Sequence, residues 1–267
     1  MGLVVGTVFG LPVYTYGLVV LAAVLLGAGV AWGNVRLHHE PTGPLLDLLL
    51  WGLPLALVCG RLGFVLHHLD RYTSHLLDVF CVTQGGLSFY GGMLGFFLAV
   101  CAYSLIHGVS AWHWLDLLVP ALLIALAVHE LGIFGMQLTM GSPFPADMPN
   151  DHTLAEYIEY RYRPMGFENM LYFFPVALYQ AGLQLALFLV IALVAFVDGR
   201  LLHRLQPGCL FLLGLGGAAA IRLGCGFFYL HSDPGSVLPL GRLLSGGTLL
   251  AAAALFVYRS RARQGLF

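Results

Sequence analysis

Charged residues are what this sequence has least of. Only 9% of its 267 residues are charged, all twelve basic residues are arginine, and 59% of the chain is hydrophobic. Soluble domains carry about 25% charged residues, because their surfaces must interact with water. A chain with so little polar surface cannot cover a water-soluble globule. We therefore expect an integral membrane protein, and the mean hydropathy of +0.86 agrees with this.

Paired cysteines are also missing. Five cysteines are scattered along the chain, mostly inside apolar runs, and their number and spacing indicate neither a disulfide framework nor a metal site. The His-Glu pair at 129–130 has no second histidine at the spacing of the H-E-x-x-H zinc motif. We expect no metal and no cofactor.

Long apolar runs are abundant. About 20 residues of helix cross the roughly 30 Å of bilayer hydrocarbon, and seven runs reach that length. Because lipid requires each span to satisfy its own backbone hydrogen bonds, we expect an all-α fold forming one membrane domain over residues 1–267. The predicted spans are Val13–Trp32, Pro44–Leu66, Leu87–Ile106, Trp112–Leu138, Leu171–Val197, Cys209–Tyr229 and Leu240–Tyr258.

The placement of arginine predicts the orientation. With the N-terminus outside, six arginines lie in cytoplasmic segments and three in outer segments, which fits the excess of positive charge found on the cytoplasmic side. The longest polar segment, 141–170, then faces outward and can cover a site that opens on that side. The six are Arg36, Arg200, Arg204, Arg259, Arg261 and Arg263; the three are Arg71, Arg161 and Arg163.

Near the end of the fourth run, the stretch "AVHELGIFGMQL" at 127–138 contains two adjacent ionisable residues, His129 and Glu130. A charge at the bilayer centre costs roughly 3 kcal/mol or more, so it requires a partner or a function. We expect Glu130 to lie in the bundle interior beside a cation, with Arg222 as the first candidate and Arg61 as the second.

Arg61 and Arg222 fall inside apolar runs themselves. Two interpretations are open. The arginines can pair structurally with acidic residues or extend to the interface. Alternatively they can hold an anionic lipid headgroup, because the guanidinium fork matches phosphate geometry. In the second case we expect the two side chains to share one anion site.

A glycine-rich stretch, "QGGLSFYGGMLGF" at 84–96, begins the third run. Gly91 and Gly95 have the GxxxG spacing that is typical of close helix packing. The further glycines around Tyr90 also suit a backbone that admits a ligand headgroup. Both interpretations stay open at this point.

Several of these stretches, in the same order, resemble the prolipoprotein diacylglyceryl transferase family. "GGLSFYGGMLG" is similar to the family's "GGxSFHGGLxG", and "GRLGFVL" at 60–66 is similar to its "GRxGYVL". Tyr16, followed by Gly-Leu, looks like the tyrosine of the family's first span. "FPVALYQ" at 174–180 corresponds to "HPxQLYE", and Arg222 to the arginine of "YGxxRFxxExxR".

The resemblance implies a seven-span bacterial inner-membrane enzyme with its N-terminus outside. Such an enzyme moves diacylglycerol from phosphatidylglycerol to the cysteine thiol of a prolipoprotein signal peptide. The implied partners are therefore a lipid and a peptide, and not nucleic acid. The matched positions imply that Arg61, Tyr16, Tyr90, Gly91 and Gly92 bind substrate.

The chain departs from the family pattern at its most specific motif. The family's "GRxGNFxNxE" falls on "HELGIFGMQL", so Glu130 takes the place of an arginine and Ile133 that of an asparagine. Tyr90 and Phe174 each replace a motif histidine. Ala218, Gly226 and Tyr229 replace a tyrosine, a glutamate and an arginine.

Two functions follow from these residues. In an active transferase, His129 or Glu130 takes the proton of the thiol, and Arg222 with Arg61 stabilises the departing glycerol phosphate. The alternative is a relative without catalysis or with an altered substrate, which binds lipid or a membrane protein. A solute carrier is a weaker third reading, because the spans show no inverted repeat.

The orientation can be tested by cysteine labelling. Asn150→Cys and Gln206→Cys are made in a chain without its native cysteines. An impermeant thiol reagent applied to intact cells is expected to label position 150, which we place outside, and not position 206. Labelling of position 206 alone contradicts the predicted orientation.

Overall fold

The computed structural model describes residues 4–8, 11–72, 86–144, 154–163, 165–198, 205–230 and 240–262. Seven helices within these ranges are long and apolar enough to cross a membrane. They are α1 (Thr15–Leu37), α2 (Thr42–His67), α4 (Phe89–His107), α5 (Ala111–Gly135), α6 (Val176–Val197), α7 (Cys209–Gly226) and α8 (Leu240–Ala262). The all-α, seven-span fold predicted from the sequence is confirmed, and the orientation of the N-terminus stays a prediction.

The remaining described elements are short. The helix α3 (Leu69–Tyr72) follows α2. Strands β1 (Val4–Val8) and β2 (Leu11–Tyr14) form an antiparallel ribbon ahead of α1. Strands β3 (Glu156–Tyr157) and β4 (Tyr172–Phe173) form a second ribbon between α5 and α6.

Some helix ends differ from the predicted spans. α1 runs on to Leu37, five residues beyond the predicted end of the first span. Its last turns contain the polar residues Asn34 and Arg36. α6 begins at Val176 rather than at Leu171, since residues 172–173 belong to β4 and Pro175 occupies the helix N-cap. Pro175 cannot donate a backbone hydrogen bond, which suits it to the start of a helix.

The chain forms two compact units, one of Met1–Val30 with Val119–Phe267 and one of Ala31–Leu118. They are called the first and the second unit. The prediction of a single membrane domain over the whole chain is not tested by this division.

In the second unit, α2 packs against α4 through glycine. A Cβ atom added to Gly91 would collide with the backbone carbonyl of Cys59, and one added to Gly95 would lie 2.6 Å from the carbonyl oxygen of Leu55. The GxxxG pair is therefore a helix-packing surface. Ser88 caps α4 by accepting a hydrogen bond from the backbone N–H of Gly91 at 3.3 Å.

In the first unit, the part of α5 from Val119 onward packs against α1. A Cβ atom on Gly132 of α5 would collide with Val19 of α1, and one on Gly27 of α1 would lie 3.1 Å from the carbonyl oxygen of Ala121. The reversed order of these contacts shows that α1 and α5 run antiparallel. On α7, a Cβ atom on Gly217 would lie 2.8 Å from Leu187 of α6.

The segment between α5 and α6 contains a buried acid. Glu156 pairs with Phe173 across the β3–β4 ribbon and is only 6% exposed. Its Oε1 has no hydrogen-bond partner among the described residues. Burial raises the pKa of the Glu156 carboxyl from 4.5 to about 7, because the low-dielectric surroundings disfavour the charged form.

The glycine packing predicts a difference between neighbouring substitutions. Gly91→Ala is expected to lower the free energy of unfolding by about 1–3 kcal/mol, because the added methyl group meets rigid backbone. Gly92→Ala is the matched control, since its Cβ would lie 3.5 Å from the nearest atom, the Ala56 carbonyl oxygen. Thermal unfolding in detergent measures both. Equal losses in the two variants would show that the close approach at Gly91 is unimportant.

Glu156 predicts a pH dependence of stability. The folded state holds the Glu156 proton up to about pH 7, whereas the unfolded chain releases it near 4.5. The stabilising contribution of the protonated Glu156 side chain is therefore fully present below pH 4.5 and is lost as the pH rises through 7. The loss is at most about 3 kcal/mol. Glu156→Gln should remove this pH dependence in thermal scans between pH 4.5 and 8. The control is Glu159→Gln, an exposed residue paired with Arg161, which should leave the slope as it is.

Candidate active site

A buried carboxylate forms the centre of the first unit. Glu130 lies on α5, near the C-terminal end of that helix, and is only 4% exposed. Its Oε1 accepts a hydrogen bond of 2.8 Å from Nε2 of Gln180 on α6. Nη1 of Arg222 on α7 lies 3.5 Å from the same oxygen. The pairing of Glu130 with Arg222, the first partner predicted from the sequence, is present.

His129 lies beside this carboxylate. Its Nδ1 is 3.7 Å from Oε1 of Glu130, although neighbouring residues on a helix point about 100° apart. Its Nε2 is 3.2 Å from the hydroxyl oxygen of Tyr16 on α1, and the two rings meet edge to face. An ionised carboxylate favours a proton on Nδ1, which leaves Nε2 as the acceptor and the Tyr16 hydroxyl as the donor.

Gly132 makes the approach of Tyr16 possible. Because Gly132 has no side chain, Val19 packs directly onto α5, and α1 comes close enough for Tyr16 to reach His129.

Tyr229 extends the cluster beyond α7. Its hydroxyl donates a hydrogen bond of 3.3 Å to Oε1 of Gln180. Burial, followed by the negative charge of Glu130, raises the pKa of the Tyr229 hydroxyl, so Tyr229 stays protonated and available as a donor. The backbone of Tyr229 forms an isolated bridge with Gly141, which anchors this residue.

The cluster thus joins four predicted site residues, Tyr16, His129, Glu130 and Arg222, with two that the sequence did not single out as site residues. One of these is Gln180. Its signal is the spacing of Gln180 and Gln184, four residues apart on an otherwise apolar helix, which places both on one face. The other is Tyr229, which appears in the sequence only as the replacement of a motif arginine.

The second unit contains the other predicted residues. Arg61 is 4% exposed, and its Nη1 donates to the carbonyl oxygen of Gly86 at 3.2 Å. Its guanidinium lies 5.4 Å from the ring centroid of Tyr72 and 5.9 Å from that of Phe64. Because Arg61 and Arg222 belong to different units, an anion site shared between them stays a prediction.

Tyr90, Gly91 and Gly92 lie in the first turn of α4, in the same unit as Arg61. The Tyr90 ring meets that of Phe89 edge to face. Gly91 is closed off by the backbone of α2, whereas a Cβ on Gly92 would meet only one atom, at ordinary contact distance. The substrate-binding role of all three residues stays a prediction.

No group of three or more His, Cys, Asp or Glu side chains within the described ranges could hold a metal ion. The Glu130 cluster offers an imidazole, a carboxylate, a guanidinium, two phenols and an amide. This set can take up a proton at His129 and stabilise negative charge at Arg222.

Residues 4–258 match the family model described as prolipoprotein diacylglyceryl transferase. The chain belongs to this family. The match covers nearly the whole sequence, including α1, α2, α4 to α7, most of α8 and each residue of the Glu130 cluster.

Individual members of the family are similar to the chain at moderate identity. The phosphatidylglycerol–prolipoprotein diacylglyceryl transferase of Synechocystis sp. is 28% identical over 209 residues, which is 77% of this chain and 71% of that protein. The enzyme of the same name from Acaryochloris marina is 31% identical over 65% of this chain and 64% of its own length. The one from Geobacillus kaustophilus is 28% identical over 55% of each chain.

Proposed function

We propose that this chain transfers the diacylglyceryl group of phosphatidylglycerol to the lipobox cysteine of prolipoproteins at the bacterial inner membrane. In this reaction the cysteine thiolate attacks the glycerol carbon that carries the phosphate. A C–S bond forms, the C–O bond to the phosphate breaks, and glycerol phosphate leaves with the bonding electrons. The family match over residues 4–258 supports this reaction.

The single observation that carries the proposal is the contact of His129 with both Tyr16 and Glu130. With Nδ1 turned to the carboxylate, Nε2 is the ring nitrogen that can accept the thiol proton. The Tyr16 hydroxyl, 3.2 Å from Nε2, holds this lone pair in the structure, so the thiol takes the place of that hydroxyl when the peptide binds. Glu130 stabilises the imidazolium that results, because an opposite charge at this distance favours the protonated form.

Arg222 supplies the positive charge that the leaving group requires. Its side chain is one-third exposed, whereas that of Glu130 is buried, and its Nη1 faces the carboxylate. A guanidinium fork suits a phosphate monoester better than an ammonium does. We assign Arg61, Tyr90 and Gly92 to the binding of phosphatidylglycerol, the lipid donor. The prolipoprotein signal peptide is the acceptor.

A relative that binds lipid or a membrane protein without catalysis, or that acts on an altered substrate, is the second candidate. The contact between Glu130 and Arg222 favours it, because a carboxylate 3.5 Å from the guanidinium neutralises the charge that a phosphate would seek. The two candidates differ in whether a diacylglyceryl peptide is formed.

Reconstitution separates them. The purified chain in phosphatidylglycerol vesicles is incubated with a synthetic lipobox peptide, and the thioether product is measured by mass spectrometry. His129→Ala is expected to lower kcat by about 10²-fold or more, because the base is removed. Arg222→Lys should also lower activity, since it keeps the charge but loses the fork.

His113→Ala is the matched control, because His113 also contacts a carboxylate, Glu40 Oε1 at 2.8 Å, but belongs to the second unit. Its activity should equal that of the wild type. A wild-type protein that binds phosphatidylglycerol and forms no product would favour the second candidate. Equal loss in His113→Ala and His129→Ala would remove the role assigned to His129.

A further inference from the structure

Gln180 is the closest partner of Glu130 among the described residues. The amide nitrogen lies 2.8 Å from Oε1, and both side chains are almost fully buried, at 2% and 4% exposure. Arg222 and His129 stand farther from that oxygen, at 3.5 and 3.7 Å. The shortest contact of the buried acid is therefore with a neutral residue rather than with a cation.

The direction of this hydrogen bond is determined by chemistry. An ionised carboxylate can only accept, so the amide nitrogen of Gln180 must face Glu130 and the amide oxygen must face away. That oxygen then requires a donor, and the Tyr229 hydroxyl lies 3.3 Å from it. Tyr229 donates to Gln180, and Gln180 donates to Glu130, in one orientation only.

A neutral donor at position 180 matches the charges around it. The groups that face Glu130 are Arg222 and Cys225 from α7, Tyr16 from α1, Tyr229, and His129 on its own helix. A second carboxylate at 180 would lie against Glu130 and repel it, and a cation there would compete with Arg222 and His129 for Oε1. Glutamine satisfies one lone pair of the oxygen and leaves its charge for Arg222 and for the imidazole of His129.

The sequence shows the same relation. The motifs quoted above have arginine at position 130 and glutamate at position 180, a potential ion pair. Here the two positions carry glutamate and glutamine, and they are in direct contact. The change at 130 is thus accompanied by the change at 180 that a carboxylate at 130 requires.

We propose that Gln180 is the positioning residue of this site. Held by Tyr229, it directs the Glu130 carboxylate at His129 and Arg222. The catalytic part of the inference rests on the proposed function, because it assumes that His129 acts as the base. The pairing of positions 130 and 180 does not depend on that assumption.

The pairing is tested by a rescue experiment that needs no activity. Glu130→Arg places a guanidinium beside His129 and Arg222 and is expected to lower the melting temperature in detergent. Adding Gln180→Glu should restore much of the loss, because the two positions then form an ion pair. The matched control adds Gln184→Glu instead, on the same face of α6 but one turn, roughly 5–6 Å, away. Rescue by Gln184→Glu as large as by Gln180→Glu, or no rescue by Gln180→Glu, overturns the pairing.

The positioning role is tested by the pH dependence of transfer. In the wild-type background, Gln180→Glu adds a carboxyl group against Glu130. The two neighbouring carboxyl groups repel each other when both are ionised, so they retain one proton up to a higher pH. When both are ionised, they stabilise the imidazolium of His129 more strongly. Both effects move the acid limb of the kcat/KM profile upward, by about one pH unit or more. Gln184→Glu should move it less.

A Gln180 with only a structural role gives a different result. In that case Gln180→Glu lowers kcat/KM by the same factor at every pH and leaves the limb in place, which overturns the positioning role. A wild-type protein that transfers no diacylglycerol removes the proposed function and with it the catalytic part of the inference. The thermal rescue then decides the pairing by itself.

Discussion

The carboxylate of Glu130 imposes the strongest constraint on this structure. A buried charge is tolerated only when donors replace the water it has lost. Three groups converge on one oxygen atom, from α6, from α7 and from the helix of Glu130 itself. The relative depth and rotation of these three helices are therefore tied to a single atom, which adds a directional restraint to the packing of the helices.

Small residues make this convergence possible. The absence of a side chain at Gly132 lets Val19 approach α5, and Gly217 does the same for Leu187 between α7 and α6. Hydrophobic association is weak between helices in a bilayer, so close contact through glycine supplies the van der Waals attraction that holds them. The same principle joins α2 and α4 in the second unit, at Gly91 and Gly95.

The arrangement explains how a member of this family can carry a glutamate where the family motif has an arginine. The carboxylate is not isolated, because Arg222 remains and Gln180 offers a neutral donor. It also gives His129 a partner that orients the imidazole and leaves one ring nitrogen turned to Tyr16. In the function we propose, the site with a carboxylate at position 130 takes up the proton at His129 and stabilises the anion at Arg222.

The sequence by itself determined the class of protein, the number of spans and the residues whose burial needs an explanation. These follow from bilayer thickness and from the cost of charge in hydrocarbon, which act on every apolar run alike. It also pointed to Arg222 as the partner of Glu130, because few cations lie within the spans. Only the tertiary structure identified Gln180 and Tyr229. Both are uncharged in the site, and Gln180 is 50 residues from Glu130 and 49 from Tyr229. The cost of burying charge therefore does not mark them, and the spacing of Gln180 and Gln184 indicates a helix face but not its partners. The contact between His129 and Glu130 also depends on the tertiary structure. The helix separates neighbouring side chains by about 100°, and the donors from α6 and α7 determine where Oε1 lies.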